Sequence, residues 1–182
     1  MTNEARPLIL ASGSPRRREL LGRMGYEFQI CSPDVDEHVS GHARDIVRTL
    51  AVRKARAAAE RFDRGVIIAS DTLVSLDGAP LGKPADADDA RRMLRALSGR
   101  EHEVFTGVCV IDAQMGMEEA QVDRTGVRFR PLTDAEIDAL MDEYRAQYDF
   151  ATDDLDTVRY QAREEIAMKK MLDAEGCMAF SN

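Results

Sequence analysis

The sequence contains no tryptophan, and only 5% of its 182 residues are aromatic. Proteins that bind single-stranded nucleic acid stack bases on aromatic side chains, so this scarcity argues against that class. Positive charge is also in deficit, because 33 acidic residues against 25 lysines and arginines give a formal net charge of −8. A general nucleic-acid surface would be basic overall, so we expect no nucleic-acid partner. A small ligand that carries phosphates needs only a few local cations and is not excluded.

Long apolar runs are missing as well. No run approaches the length of a transmembrane helix, and the first residues, "MTNEARPLILASG", lack the long apolar region of a secretory signal. The three cysteines, Cys31, Cys109 and Cys177, are odd in number and have no metal-type spacing, as is typical of reduced cytosolic thiols. We therefore expect a cytoplasmic location and no membrane association. A Walker phosphate loop and a GxGxxG motif are also lacking, which argues against a kinase or transferase of the usual type.

What is present predicts an α/β fold in one domain, residues 1–182. Apolar strand candidates such as "PLILA" and "GVIIAS" alternate with amphipathic helix candidates such as "DIVRTLAVRKARAAAERF". The segments "EHEVFTGVCVID" and "MEEAQVDRTGVRFR" are predicted to pair as long strands, and Asp77–Gly78 predicts a tight turn. "TDAEIDALMDEY" opens with a capping box formed by Thr133 and Glu136.

The stretch "LASGSPRRRELL" places Arg16, Arg17 and Arg18 at the start of a predicted helix with Ser14 as its N-cap. The helix dipole already makes that end positive, so cations there are unfavourable. Helical spacing puts Arg17 on the face of the apolar residues Leu20, Leu21 and Met24, and turns Arg18 away. A cation on that face needs an anion, and phosphate matches both guanidinium and free backbone N–H groups. The alternative is a pair of surface arginines that snorkel past the core.

Carboxylates occur where ligands are often bound. Asp71 directly follows the apolar strand "VIIAS", and the ends of strands in α/β sheets are common ligand sites. It could hold Mg²⁺ or orient water, or it could merely cap a turn. Asp34, Asp36 and Glu37 form an acidic loop after a strand, which is either solvated or a source of metal ligands.

Two lysines complete the candidate set. Lys54 falls on the apolar stripe Val47–Ala51–Ala58 of a long helix, where it either snorkels to solvent or meets a buried anion. Lys83 lies in the loop "LGKP", where a lysine is either solvated or open to a ligand.

The histidines contribute less. His38 and His42 are four residues apart, but Ser40 and Gly41 interrupt any helix that could make them a metal pair, and His102 is a candidate structural residue. Cations on separate elements together with carboxylates beside strands indicate metal-assisted chemistry on a polyphosphate.

Several blocks of the sequence resemble one protein family. The block "LILASGSPRRRELL" closely resembles the opening of the Maf-like nucleoside triphosphate pyrophosphatases. The blocks "DVDE", "LAVRKARAAA", "IIASDTLVSLDGAPLGKP", "LSGREHEVFTGVCVI" and "VRFRPLTDAEIDAL" follow in the family's order. The resemblance covers about residues 7 to 145 and leaves residues 146–182 divergent.

The resemblance implies an elongated mixed β-sheet flanked by helices, a cleft between two lobes, and a homodimer. It implies hydrolysis of a non-standard, modified or pyrimidine nucleoside triphosphate to the monophosphate and pyrophosphate, with Mg²⁺ or Mn²⁺. Ser14, Arg16 and Arg17 would bind phosphates, with Thr72 adjoining the site. Glu37 and Asp71 would hold the metal or the attacking water, and Lys54 and Lys83 would contact phosphate oxygens.

One segment departs from the family pattern. Family members continue with a "DKAGAYGIQG"-type segment and a "GLPL" helix, and residues 146–182 contain neither. We therefore expect these residues not to build the usual C-terminal strand and helix. An alternative hypothesis follows, in which the chain is a catalytically impaired nucleotide-binding regulator linked to septum formation and cell division.

Overall fold

The computed structural model describes residues 6–148 and 180–181. Strands and helices alternate along this part of the chain in a mixed order. The elements are β1 (Leu8–Leu10), α1 (Pro15–Arg23), β2 (Gln29–Ile30), α2 (Ala43–Ala59), β3 (Val66–Leu76), β4 (Ala79–Leu81), α3 (Ala87–Leu97), β5 (Glu101–Asp112), β6 (Met117–Arg128), α4 (Asp134–Tyr148) and β7 (Phe180–Ser181). No helix within the described ranges combines the length and the apolar character needed to cross a membrane.

The described strands form one mixed sheet in the order β2-β1-β3-β5-β6-β7, with β4 paired to β3. β1 runs parallel to both of its neighbours, with Leu10 opposite Ile30 on one side and Ile68 on the other. β3 and β4 form the predicted hairpin, whose turn residues Asp77 and Gly78 have φ values of 53° and 81°. Two successive positive φ angles are what the Asp-Gly pair is suited to adopt. The predicted α/β fold, with a mixed sheet and helices, is confirmed.

The chain divides into two compact units. The first contains residues 1–73 and 105–124. Its core forms where the small-residue face of α2 packs against the sheet, and its buried members include Ile9, Ala11, Ala51, Ala55, Ala58, Ile67, Ala69, Cys109 and Ile111. The predicted buried stripe of α2 is confirmed, because Val47, Ala51 and Ala58 are fully buried.

The second unit contains residues 74–104 and 125–182. One of its buried clusters consists of Leu76, Leu97, Val127 and Phe129. His102 joins this packing edge-on to Phe129, with ring centroids 4.7 Å apart, and its Nδ1 atom is buried without a hydrogen-bond partner in the described structure. Burial lowers the pKa of His102, so the residue packs as a neutral core aromatic.

The structure differs in detail from three local predictions. Asp71 does not stand at a strand end, because the two strand candidates "GVIIAS" and "DTLVSL" form the single strand β3, which contains it. The alternation of "YEFQIC" predicts a strand, and β2 lies within that segment but is only two residues long, with both residues exposed. A strand was not expected near the end of the chain, yet Phe180 and Ser181 pair with Gly126 and Thr125 of β6. The prediction for the rest of residues 146–182 falls mostly outside the described residues, although α4 extends to Tyr148.

Candidate active site

The backbone of the first unit brings a lysine and a carboxylate together. Alternate residues of a strand share one face, so Asp71 continues the row of Ile67 and Ala69, which pack in the core with α2. Lys54 lies one turn from Ala51 and Ala58 on the buried face of α2. Lys54 and Asp71 therefore face each other between α2 and β3, next to the apolar residues of the core.

Lys54 forms the centre of a three-residue ion cluster. Its Nζ lies 2.7 Å from Oδ1 of Asp71 and 2.7 Å from Oε1 of Glu37. The side chains of Lys54 and Asp71 are each only 14% exposed, whereas that of Glu37 is 42% exposed. A buried ammonium next to two carboxylates is well compensated, and the snorkelling alternative for Lys54 is wrong.

The environment of Asp71 shifts its pKa. Burial raises the pKa of this carboxyl, and the opposing pull of the Lys54 and Arg17 charges does not cancel that effect. The charge of Glu37 adds slightly to the increase. A carboxylate whose pKa is raised binds a proton more readily than an exposed aspartate does.

β1 ends beside β3 just before this cluster, and the chain then turns into α1. Ser14 caps α1 as predicted, because its Oγ accepts a hydrogen bond from the backbone N–H of Arg17 at 3.4 Å. Ser12, which is buried in the turn, accepts from the backbone N–H of Ser14 at 3.2 Å and from Nη1 of Arg17 at 3.1 Å. The turn and Arg17 are therefore tied together by one hydroxyl.

Arg17 also contacts the sheet. Its Nη2 donates to Oγ1 of Thr72 at 3.4 Å, and Oγ1 of Thr72 lies 3.3 Å from Oγ1 of Thr106 on β5. The predicted contrast between the two arginines is confirmed, since Arg17 is half-buried and Arg18 is exposed. The predicted apolar face of α1 is only partly correct, because Leu21 is buried but Leu20 and Met24 are 46% and 67% exposed.

The structure brings together most of the predicted site residues, namely Ser14, Arg17, Glu37, Lys54, Asp71 and Thr72. Arg16 follows Pro15 in the first turn of α1 and is half-buried. Lys83 is exposed in the loop between β4 and α3, within the second unit.

The acidic loop contributes one of its three residues to the ion cluster. Glu37 reaches Lys54, whereas Asp36 accepts hydrogen bonds from the backbone and the ring of His38. Those bonds lower the pKa of Asp36. Across residues 6–142, no three His, Cys, Asp or Glu side chains are grouped so that they could hold a metal ion by themselves.

Two site residues were missed from the sequence, Ser12 and Thr106. Both contribute an uncharged hydroxyl, and neither stands at a position that helix periodicity or a strand end makes unusual. Ser12 lies two residues before Ser14, a good N-cap, and this position in a turn is the one feature of the sequence that could have indicated it.

Comparison with known proteins identifies the family of this chain. The profile described as Maf-like protein matches residues 7–152. The chain belongs to the Maf-like protein family. A protein of Desulforamulus reducens named dTTP/UTP pyrophosphatase is 45% identical over 139 residues, which is 75% of this chain and 73% of that protein. A protein of the same name from Anaeromyxobacter dehalogenans is 52% identical over 135 residues, covering 72% of this chain and 68% of that one.

Among solved structures, the Staphylococcus aureus Ham1 protein is similar at 18% identity with a TM-score of 0.46, over 66% of this chain and 69% of that one. The residues that form the ion cluster and the turn before α1 all fall within the part of the chain that the Maf-like profile matches.

Proposed function

We propose that this Maf-like chain is a nucleoside triphosphate pyrophosphatase that hydrolyses pyrimidine nucleoside triphosphates to the monophosphate and pyrophosphate. The observation that carries the proposal is the ion cluster of Lys54, Asp71 and Glu37, with Arg17 acting on Asp71 from the start of α1. The preference for pyrimidines is supported by the relatives named dTTP/UTP pyrophosphatase.

The start of α1 is suited to hold the phosphate chain. The first N–H groups of a helix lack partners inside the helix, and the dipole favours an anion there. Arg17 adds a guanidinium whose position is set by the hydroxyls of Ser12 and Thr72. We assign Arg16, Arg17 and the helix end to phosphate binding, with Ser14 and Thr72 beside them.

Glu37 and Asp71 fit a divalent cation. Each supplies the hard carboxylate oxygens that such a cation prefers, and each places one oxygen 2.7 Å from Lys54 Nζ. Magnesium commonly uses one or two carboxylates and completes its ligands with substrate phosphate oxygens, so a set of two is sufficient. A bound Mg²⁺ or Mn²⁺ would supply neutralisation of phosphate charge.

In the proposed reaction, water attacks the α-phosphorus, the bond from that phosphorus to the bridging oxygen breaks, and pyrophosphate leaves. Asp71 orients the water and accepts its proton, for which a raised pKa is favourable. The ammonium of Lys54 and the guanidinium of Arg17 stabilise the negative charge that develops on the phosphate oxygens. The resemblance to the family also supports a phosphate contact by Lys83, a homodimer and a cytoplasmic location, which stay predictions.

The test is product analysis with dTTP, UTP, CTP and dATP in the presence of Mg²⁺. We expect the monophosphate and pyrophosphate, with dTTP and UTP the better substrates. In ¹⁸O-labelled water, phosphorus NMR should locate the label in the monophosphate, because the water oxygen joins the α-phosphorus. Release of inorganic phosphate and a diphosphate would contradict the proposed bond cleavage.

Binding measurements separate the proposal from its alternative. If no triphosphate is hydrolysed but dTTP binds in calorimetry, the chain is a nucleotide-binding regulator rather than an enzyme. An Asp77→Asn variant serves as the matched control for substitutions of Asp71, because Asp77 lies in the exposed hairpin turn and contacts Arg100.

A further inference from the structure

The sheet face that points away from α2 carries a pair of threonines. On β5, Gly107, Cys109 and Ile111 face α2, so Thr106 belongs to the opposite row with Val108 and Val110. On β3, Thr72 is likewise opposite to the row of Asp71. Because β3 and β5 are neighbours in the sheet, the two hydroxyls meet at 3.3 Å.

Thr106 is held in place by its own strand. A Cβ added to Gly107 would lie 2.3 Å from the carbonyl oxygen of Val47, so β5 approaches the backbone of α2 as closely as a glycine allows. Threonine is branched at Cβ and has restricted rotation about χ1, which limits where its hydroxyl can point. The hydroxyl of Thr106 therefore has a fixed position in the first unit.

The hydrogen bonds continue from this point to the candidate active site. Thr106 contacts Thr72, and Thr72 accepts from Nη2 of Arg17, while Ser12 accepts from Nη1. A hydroxyl acceptor orients a guanidinium without cancelling its charge, unlike a carboxylate. This suits an arginine whose charge is needed by a ligand.

We propose that Thr106 is a positioning residue for phosphate binding, which acts on Arg17 through the hydroxyl of Thr72. The inference rests on the proposed function of the site. It extends that function to a residue on β5 that touches neither the ion cluster nor the turn before α1.

The decisive variant is Thr106→Val, which keeps the shape and the β-branch but removes the hydroxyl. Losing one neutral hydrogen bond in such a chain predicts a roughly three- to ten-fold weaker affinity for inorganic pyrophosphate with Mg²⁺, measured by calorimetry. We expect a similar loss in kcat/KM for dTTP. Thr106→Ser keeps the hydroxyl and should restore both values to within about two-fold of the parent.

A double-mutant cycle distinguishes positioning from a general structural effect. In an Arg17→Ala background, Thr106→Val should change pyrophosphate affinity little, because the group that it positions is gone. Thr125→Val on β6 is the matched control, as another half-buried strand threonine outside this chain of hydroxyls, and should bind like the parent. Circular dichroism and the unfolding midpoint verify that each variant folds, and Thr72→Val tests the same chain if Thr106→Val does not fold.

The outcomes test the role of Thr106 separately from the proposed function. Equal pyrophosphate affinities for the parent and Thr106→Val, or losses that add independently to Arg17→Ala, would overturn the role of Thr106. A parent that binds pyrophosphate but hydrolyses no triphosphate would overturn the proposed function, while the binding arm would still decide the role of Thr106.

Discussion

Arg17 and Arg18 are neighbours in the sequence, and α1 gives them different surroundings. Arg17 contacts Ser12 and Thr72, whereas Arg18 is exposed. We expect Arg17→Ala to weaken the binding of pyrophosphate or dTTP by about 1.5–3 kcal/mol, the range for a hydrogen bond to a charged group. Arg18→Ala is the matched control because it removes the same charge from the same turn. It should have little effect on binding because Arg18 is exposed. Equal affinities of the two variants in calorimetry would contradict the assignment of Arg17.

Asp71 is the residue whose charge the proposed reaction needs most. Asp71→Asn changes almost no volume, and Lys54 retains Glu37 as an ion-pair partner, so we expect the fold to persist. We expect the rate of dTTP hydrolysis to fall by about two to four orders of magnitude, as is usual for the loss of an acid–base group.

The Asp77→Asn control should retain the parent rate, since asparagine also tolerates the positive φ of that turn. Hydrolysis by Asp71→Asn at the parent rate would show that the reacting water is oriented by another group.

At the scale of elements, the close contact between β5 and α2 determines where the site residues stand. The nearest atoms to a Cβ on Gly107 would be backbone atoms of Val47 and Arg48, at 2.3–2.9 Å, and backbone cannot move aside as a flexible side chain can. We expect Gly107→Ala to destabilise the protein by about 1–3 kcal/mol through overpacking.

The matched control is Gly126→Ala on β6, where a Cβ meets nothing within 4 Å. Alanine reduces the conformational freedom of the unfolded chain, so we expect Gly126→Ala to leave the free energy of unfolding unchanged or to raise it slightly. Urea unfolding of both variants measures the difference, and equal midpoints would mean that β5 and α2 can separate without penalty.

Some elements could be predicted because their signals are local. The Asp77–Gly78 turn follows from the positive φ angles that these residue types adopt, and the cap of α1 follows from Ser14 before Pro15. Strand candidates stand on both sides of Asp71 in the sequence, and the structure joins them into the single strand β3. Inside that strand the charge of Asp71 is compensated by Lys54, which is 17 residues away in the sequence. That compensation is tertiary, so no local pattern reveals it.

At the scale of the whole molecule, the charged residues of the site stand out in the sequence by pattern, whereas its hydroxyl residues do not, and Ser14 and Thr72 were named as site residues through the family resemblance. Arg17, Lys54 and Asp71 stand out because each breaks a pattern of periodicity or polarity. Ser12 and Thr106 break none, because a hydroxyl is tolerated both in turns and in strands. Their roles depend on which chain segments meet in space, and that information first becomes available with the fold.

The charge of the whole molecule makes the binding of a triphosphate unfavourable without added cations. The chain has a formal net charge of −8, and its ion cluster sets one ammonium, Lys54, against two carboxylates, Asp71 and Glu37. A triphosphate brings further negative charge, and like charges in a half-buried site repel strongly. Arg17 offsets only part of that repulsion, so we expect a divalent cation to be needed when the triphosphate binds.

We therefore expect exhaustive treatment with EDTA to abolish dTTP hydrolysis, and Mg²⁺ or Mn²⁺ to restore it. Because two carboxylates leave most ligand positions to phosphate oxygens, Mg²⁺ should bind the protein weakly alone and more tightly with pyrophosphate, which calorimetry can measure. Circular dichroism before and after EDTA provides the control for unfolding. Full activity in EDTA, or Mg²⁺ binding that pyrophosphate does not strengthen, would mean that Arg17 and Lys54 suffice to hold the phosphates and that Glu37 and Asp71 are not metal ligands.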